Sequence, residues 1–210
     1  MKNILCFGDS NTYGYKPDGS GRFDYNIRYT GVLQGLLGDN YHIIEEGCPG
    51  RTTVFNDTKR PYKNGYDYII PCVQSHTPLD YLIIMLGTND CKQAFNASAT
   101  DIANGLEAII KAVKSVINSN SNILIISPIH LGKHMGITGY DPDFNKKSIF
   151  NSYALGREYK KIAVNNGCMF LDGAVLASPS TIDDEHLDEI GHLALGTAVA
   201  NIIIKNEQHI

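Results

Sequence analysis

A parallel sheet covered by helices on both faces, an α/β architecture, is what this 210-residue chain predicts. Three observations carry that assignment. Short Ile- and Leu-rich runs recur without alternation, as strands do when both of their faces are covered. Segments of helical period separate them, so strand and helix alternate from one end to the other. Residues able to do chemistry collect just after the strands, on the edge where open α/β sheets bind ligands.

The elements follow in order. Strands are expected at Ile4–Phe7, His42–Glu45, Tyr81–Leu86, Ile123–Ser127 and Met169–Leu171. Tyr29, Val32, Leu33, Leu36 and Leu37 form one helical stripe that stops at Gly38, a residue suited to a helix C-terminus. A shorter helix is expected over Ile69–His76, where Pro71 argues for a start nearby. The clearest helix spans Ala99–Asn118, with Ile102, Leu106, Ile109, Ile110, Val113 and Ile117 on one face. Ser98 and Asp101 resemble its capping box, and the Asn- and Ser-rich stretch Asn118–Asn122 ends it. Helices over Ser148–Asn166 and Asp188–Ile204 complete the set. Two stretches without period, Tyr15–Asn26 and Ile129–Lys147, both follow strands. Loops of that length in a compact domain are usually functional or mobile, and here they are expected to wall a pocket.

Composition bounds the partners. The chain reads as one domain spanning 1–210, enough to bury roughly 70% of its unfolded surface. Hydrophobic residues make up 43% and charged residues 19%, with a net charge of −4 and mixed signs throughout. That leaves no basic footprint for nucleic acid or anionic lipid. No basic, then apolar, leader precedes the first strand, so no signal peptide is expected. No apolar run reaches the ~20 residues that span a bilayer. The cysteines (Cys6, Cys48, Cys72, Cys91 and Cys168) are odd in number, scattered and free of any CxxC. Reduced thiols in a cytoplasmic protein are the reading that follows.

Four features lie at strand ends or before the last helix: Gly8-Asp9-Ser10, Glu46-Gly47-Cys48, Gly87-Thr88-Asn89-Asp90, and Asp183-Asp184-Glu185-His186. The carboxyl ends of parallel strands share one edge, so these blocks converge there. Together they supply acyl transfer. A serine hydroxyl is a weak nucleophile until a base takes its proton, and His186, with a reference pKa near 6.5, is the natural base for Ser10. Asp183, three residues earlier, reaches the imidazole from the same turn. A developing oxyanion needs preorganised donors. The Asn89 amide and the backbone N–H groups of Ser10 and Gly47 are the candidates. The GxSxG elbow of the α/β-hydrolases is absent.

In these blocks and their order the chain resembles the SGNH (GDSL-type) hydrolases, and the match runs from residue 8 to residue 186. The resemblance implies a flavodoxin-like, three-layer α/β/α fold with a five-stranded parallel sheet. It implies Ser10 as nucleophile and oxyanion donor, Gly47 and Asn89 as further donors, and Asp183 and His186 as the rest of a triad. Arg51-Thr52-Thr53, Leu79–Asp90 and His186–His192 look similar to the arylesterase and acyltransferase branch, which acts on short acyl esters. Hydrolysis of a small acetyl-type ester, with acyl transfer to alcohols as an accompanying activity, is what the branch implies. One residue departs from the pattern. The usual fourth residue of the first block is leucine, whereas this chain has Asn11, which needs hydrogen-bond partners if buried.

Each residue also has a plainer reading. Asp9 and Ser10 could simply cap a helix. Asp184 and Asp172 are rival acids, both read as structural, and His192 is read as a packed or surface histidine. His130 and His134 have metal-like spacing, but no carboxylate or cysteine set completes a site. No metal or organic cofactor is expected. Cys48 and Cys91 are read as small apolar fillers, while Tyr140, Phe144 and Phe150 either line the pocket or anchor a loop. The rival function is a non-catalytic sugar- or phosphate-binding flavodoxin-like module, although the P-loop and GxGxxG signatures are missing. Association as a homo-oligomer through the rim loops is left open.

Overall fold

The computed structural model describes residues 1–117 and 122–208. Five strands form one parallel sheet: β1 (Lys2–Gly8), β2 (Tyr41–Gly47), β3 (Tyr81–Met85), β4 (Asn122–Ser127) and β5 (Met169–Asp172). Their order is β2-β1-β3-β4-β5, with Gly8 in register with both Gly47 and Met85. The predicted strands are therefore all present, each extended by a residue or two except β3, which stops one residue sooner. The chain's direction of travel across the sheet reverses at β1 and β3, the switch point that opens a crevice beyond the strand ends.

Among the described residues seven α-helices accompany the strands: α1 (Ser10–Tyr13), α2 (Tyr29–Leu37), α3 (Gly65–His76), α4 (Ala99–Lys114), α5 (Lys146–Asn165), α6 (Gly173–Leu176) and α7 (Glu189–Glu207), the last two following β5. Side chains alternate across each strand, so one strand feeds two cores. Leu5 and Phe7 of β1 join Leu82, Ile84, Ile123 and Ile125 beneath α3, α4 and α5. Ile4 and Cys6 join Ile83, Met85, Leu124 and Ile126 beneath α2 and α7. This is the three-layer arrangement expected. In α4, Ile102, Leu106, Ile109, Ile110 and Val113 are all fully buried, each contributing roughly 1.5–3 kcal/mol of burial before entropy is counted.

Helix boundaries show where local chemistry decided. Ser98 and Asp101 do form a capping box, and Asn145 with Ser148 forms another, starting α5 two residues before the predicted point. Helix α4 ends at Lys114; of the predicted stop over Asn118–Asn122, residues 118–121 lie outside the described residues and Asn122 already opens β4. Pro71 does not mark a start. It sits inside α3 on the solvent side, and the helix begins at Gly65 because the Asn64 side chain caps the Tyr66 amide. Pro71 withdraws one helical donor; the Ser75 hydroxyl donates to its carbonyl at 2.8 Å. Among the described residues no helix is long and apolar enough to cross a membrane.

Candidate active site

β1 ends at Gly8, and α1 starts at once. Asp9 accepts the Asn11 amide at 3.0 Å and so caps this single turn, placing Ser10 at its first position. The capping and catalytic readings of this stretch thus belong to different residues. Ser10 is 4% exposed, and its Oγ lies 2.9 Å from His186 Nε2. His186 Nδ1 lies 2.6 Å from Asp183 Oδ2. An ionised carboxylate only accepts, so the ring proton sits on Nδ1, leaving Nε2 to accept from the serine.

Asp183 is held as firmly as it holds. Its Oδ1 accepts the backbone amides of Glu185 and His186, each at 3.0 Å. Ser180 closes the same turn from outside, its N–H donating to His186 O at 2.7 Å and its O accepting Asp184 N at 2.8 Å. Burial acts to lower the His186 pKa. The Asp183 hydrogen bond and the negative charges of Glu185, Asp183 and Asp9 outweigh it, so the pKa ends above the ordinary histidine value.

Asn89 opens a tight turn after β3 and lines the same cavity as Ser10. Its Nδ2 donates one hydrogen to Arg51 O at 3.2 Å. An amide nitrogen has two hydrogens, so the carbonyl orients the group and leaves the second for a ligand. Arg51 is the brace of this edge. Its Nη1 donates to Gly8 O at 2.9 Å and also to Glu46 O, and the guanidinium lies over Phe7 at 4.2 Å. Asp90 ties the third block to the second, accepting Thr53 N at 2.8 Å and Thr53 Oγ1 at 2.5 Å. Its burial raises its pKa to about 6.

Gly47 is not where the second backbone donor was expected. The ladder directs Cys48 N–H toward β1, onto Gly8 O at 3.1 Å, and the alternation of a strand turns the neighbouring Gly47 N–H to the opposite side. Gly47 is glycine for packing: a Cβ there would meet Tyr13 N at 2.1 Å. Pro49 and Gly50 line the cavity instead. Gly50 has φ +83°, the left-handed region that favours glycine. The GxxG offset could have suggested it, but the direction of an N–H along β2 cannot be read from the residues.

The cavity has a volume of about 360 Å³ and is open to solvent. Tyr15 and Pro17 of the first rim loop and Asp141 of the second line it, as expected of those loops. Tyr140, Phe144 and Phe150 do not. Phe144 is buried in the core, Phe150 is 74% exposed, and Tyr140 stacks on His134. The charged residues Arg60, Lys92 and Glu185 line the cavity and were not singled out by sequence reasoning.

Asn11 finds its explanation here. Its Oδ1 accepts the Leu187 amide at 2.8 Å, with both residues buried. The turn carrying the serine is therefore strapped to the backbone that follows His186, which a leucine at position 11 cannot do.

The rival residues fall elsewhere. Asp184 accepts the His134 amide at 2.8 Å and packs on Gly132. Asp172 caps α6 and accepts from Ser127 Oγ at 2.8 Å. His192 is fully buried, accepting Tyr29 N at 3.3 Å, and burial lowers its pKa to about 4. His130 stacks on Tyr153 at 3.9 Å, so the spaced pair His130 and His134 forms no ligand set among the described residues. Cys91 is a buried filler as read. Cys48 is not: it is half-buried, with Lys63 Nζ 3.2 Å from its sulfur.

An acetylxylan esterase of Xylanibacter ruminicola is 32% identical over 111 residues, 53% of this chain. The chain spans 22% of that relative's length. A carbohydrate acetylesterase family member from Sinorhizobium meliloti superposes with a TM-score of 0.90 at 32% identity, over 97% of each chain. The native aryl esterase of M. smegmatis superposes with a TM-score of 0.87 at 33% identity, over 98% of this chain and 99% of that one. Residues 6–194 match one family from β1 into α7, and on that evidence this chain belongs to the GDSL-like lipase/acylhydrolase family.

Proposed function

We propose that this protein is a serine esterase that removes short, acetyl-type acyl groups from small esters through an acyl-enzyme on Ser10. The observation that carries the reading is the continuous chain Ser10 Oγ, His186 Nε2, His186 Nδ1, Asp183 Oδ2, with links of 2.9 and 2.6 Å. In it Ser10 Oγ attacks the ester carbonyl as His186 Nε2 takes its proton. Asp183 holds the ring and stabilises the imidazolium. The tetrahedral oxyanion rests on the Ser10 and Gly50 amides and on the free Asn89 Nδ2 hydrogen. His186 then returns the proton to the departing alkoxide, and the acyl group stays on Ser10. Water, activated by the same nitrogen, releases the acid; an alcohol in its place gives acyl transfer.

The small cavity supports a short acyl group, and the acetyl- and aryl-ester relatives support the class. The free thiols suit a reducing compartment, and cytoplasmic residence belongs to the same proposal. Ser10→Ala tests the assignment: turnover of p-nitrophenyl acetate is expected to vanish while the circular-dichroism spectrum is retained. Undiminished turnover in that variant refutes the reading. A chain-length series of p-nitrophenyl esters is expected to peak between acetate and butyrate. A passive binder would neither turn these over nor form an adduct on Ser10 with an organophosphonate.

A further inference from the structure

Glu185 is unused by the chemistry above, yet it stands beside it. It is 8% exposed and lines the cavity next to Ser10 and His186. Its Oε1 lies 4.0 Å from His186 Nε2, beyond hydrogen-bond reach. Among the described residues no donor is hydrogen-bonded to its carboxylate. A carboxyl group that is nine-tenths buried and lacks an internal donor is costly unless something else completes it. It opens on the cavity.

Lys92 is its counterpart on the same wall. It is 4% exposed, and its ammonium has Asp57 Oδ2 at 3.9 Å as a distant carboxylate partner. Burial and the neighbouring Asp141 and Asp183 carboxylates push the Glu185 carboxyl up to about 7, against the pull of His186 and Lys92. The cavity wall therefore offers acceptors (Glu185, Asp141) interleaved with donors (Lys92, Arg60). With Asp183 the wall carries three carboxylates beside the two cations, so a cationic ligand would meet positive as well as negative charge there. A neutral ligand bearing several hydroxyls can use both signs.

Resting on the esterase reading above, we infer that Glu185, with Lys92 beside it, forms a subsite for the alcohol half of the ester. There it accepts a hydrogen bond from a free hydroxyl near the ester oxygen and so selects esters of polyols over esters of simple alcohols. The location suits that role. The leaving oxygen must come within reach of His186 Nε2, and Glu185 lies 4.0 Å from that nitrogen.

The test compares kcat/KM for glycerol monoacetate, ethyl acetate and acetylcholine above pH 8, where the carboxyl is ionised, in wild type, Glu185→Gln and Glu185→Val. The glycerol monoacetate to ethyl acetate ratio is expected to fall about tenfold in Glu185→Val, the scale of one lost hydrogen bond to a charged group. A smaller fall, about threefold, is expected in Glu185→Gln, which keeps an acceptor oxygen. A ratio unchanged in both variants, or in Glu185→Gln alone if Glu185→Val does not fold, overturns the inference. Both rates falling together would assign Glu185 a structural role and overturn it equally. Selective loss of acetylcholine turnover would make the subsite a cation reader and also overturn it. Failure of the esterase reading itself shows separately, as turnover that survives Ser10→Ala.

Discussion

Removing the Asn11 acceptor tests how the catalytic parts are joined. In Asn11→Ala the Leu187 amide loses its acceptor in a place that water does not reach, since Leu187 is fully buried. An orphaned buried donor costs about 1–3 kcal/mol. For a chain of this size that lowers the thermal midpoint by roughly 2–12 °C. The same break frees the backbone beside His186, and a displacement near 1 Å in a catalytic group can cost up to about 10²-fold. A fall of about tenfold in kcat for p-nitrophenyl acetate is expected. Because Asn11 does not line the cavity, KM should change far less than kcat. Asn11→Leu separates hydrogen bonding from volume: it refills the space and recovers part of the stability but still accepts nothing, so kcat should stay low. Thermal unfolding followed by circular dichroism, with steady-state kinetics on both variants, reads all of these quantities. If both variants keep kcat within about twofold and Asn11→Ala melts with the wild type, the strap carries nothing and the reasoning fails.

Three further outcomes follow from the site. On the proposed mechanism Asn89→Ala removes one oxyanion donor and is expected to lower kcat by about 10²–10³-fold; a loss below about threefold would take Asn89 out of the reaction. In the proposed mechanism His186 acts as a base only when neutral, and its pKa lies above the ordinary 6.5. The rate should therefore climb with pH along a limb centred above that value and then level off. Asp183→Asn removes the partner that raises it, so the limb should move to lower pH while the plateau drops on the order of 10³–10⁴-fold. A limb that stays in place would dissociate Asp183 from His186. Gly50→Ala has room, its nearest neighbour being Arg60 Cδ at 3.6 Å, and should cost only the left-handed backbone, about 1–2 kcal/mol. Gly47→Ala drives a methyl into the α1 backbone and should cost roughly 3 kcal/mol or more. Urea unfolding of the two variants ranks them, and the reverse order would refute the packing described.

The sheet was legible because period carries it. Ile4 and Leu5 are adjacent and both fully buried, as in a strand covered on both faces. The convergence of Ser10, Asp183, His186 and Asn89 on one cavity was legible because strand ends share an edge and because an acid three residues before a histidine can share its turn. Single-turn helices were not: α1 and α6 are too short to show a period, and each exists because an aspartate caps it. Pro71 misled because a proline on the exposed face of a helix needs only one missing donor to be tolerated. Gly47 misled because glycine type reports space, while a donor needs direction, and direction depends on strand register. Glu185, Lys92 and Arg60 were invisible for another reason. The path of a loop decides whether a charge points into a cavity or into water, and no residue pattern in these segments encodes that path.

Arg51 has a consequence beyond holding two strand ends. One planar guanidinium fixes Gly8, from which the turn carrying Ser10 departs, and Glu46, from which the Pro49–Gly50 loop departs, while the Arg51 carbonyl aims Asn89. Ser10, Asn89 and the Pro49–Gly50 loop are thus aligned by a chassis at the sheet edge, while Asp183 and His186 are held by the turn before α7. Substrate preference can then be varied at Pro17 and Asp141, cavity-lining residues of the rim loops, with that edge left in place. Lysine at position 51, a point charge that cannot bridge two carbonyls in one plane, would be the change that takes the chassis out of true.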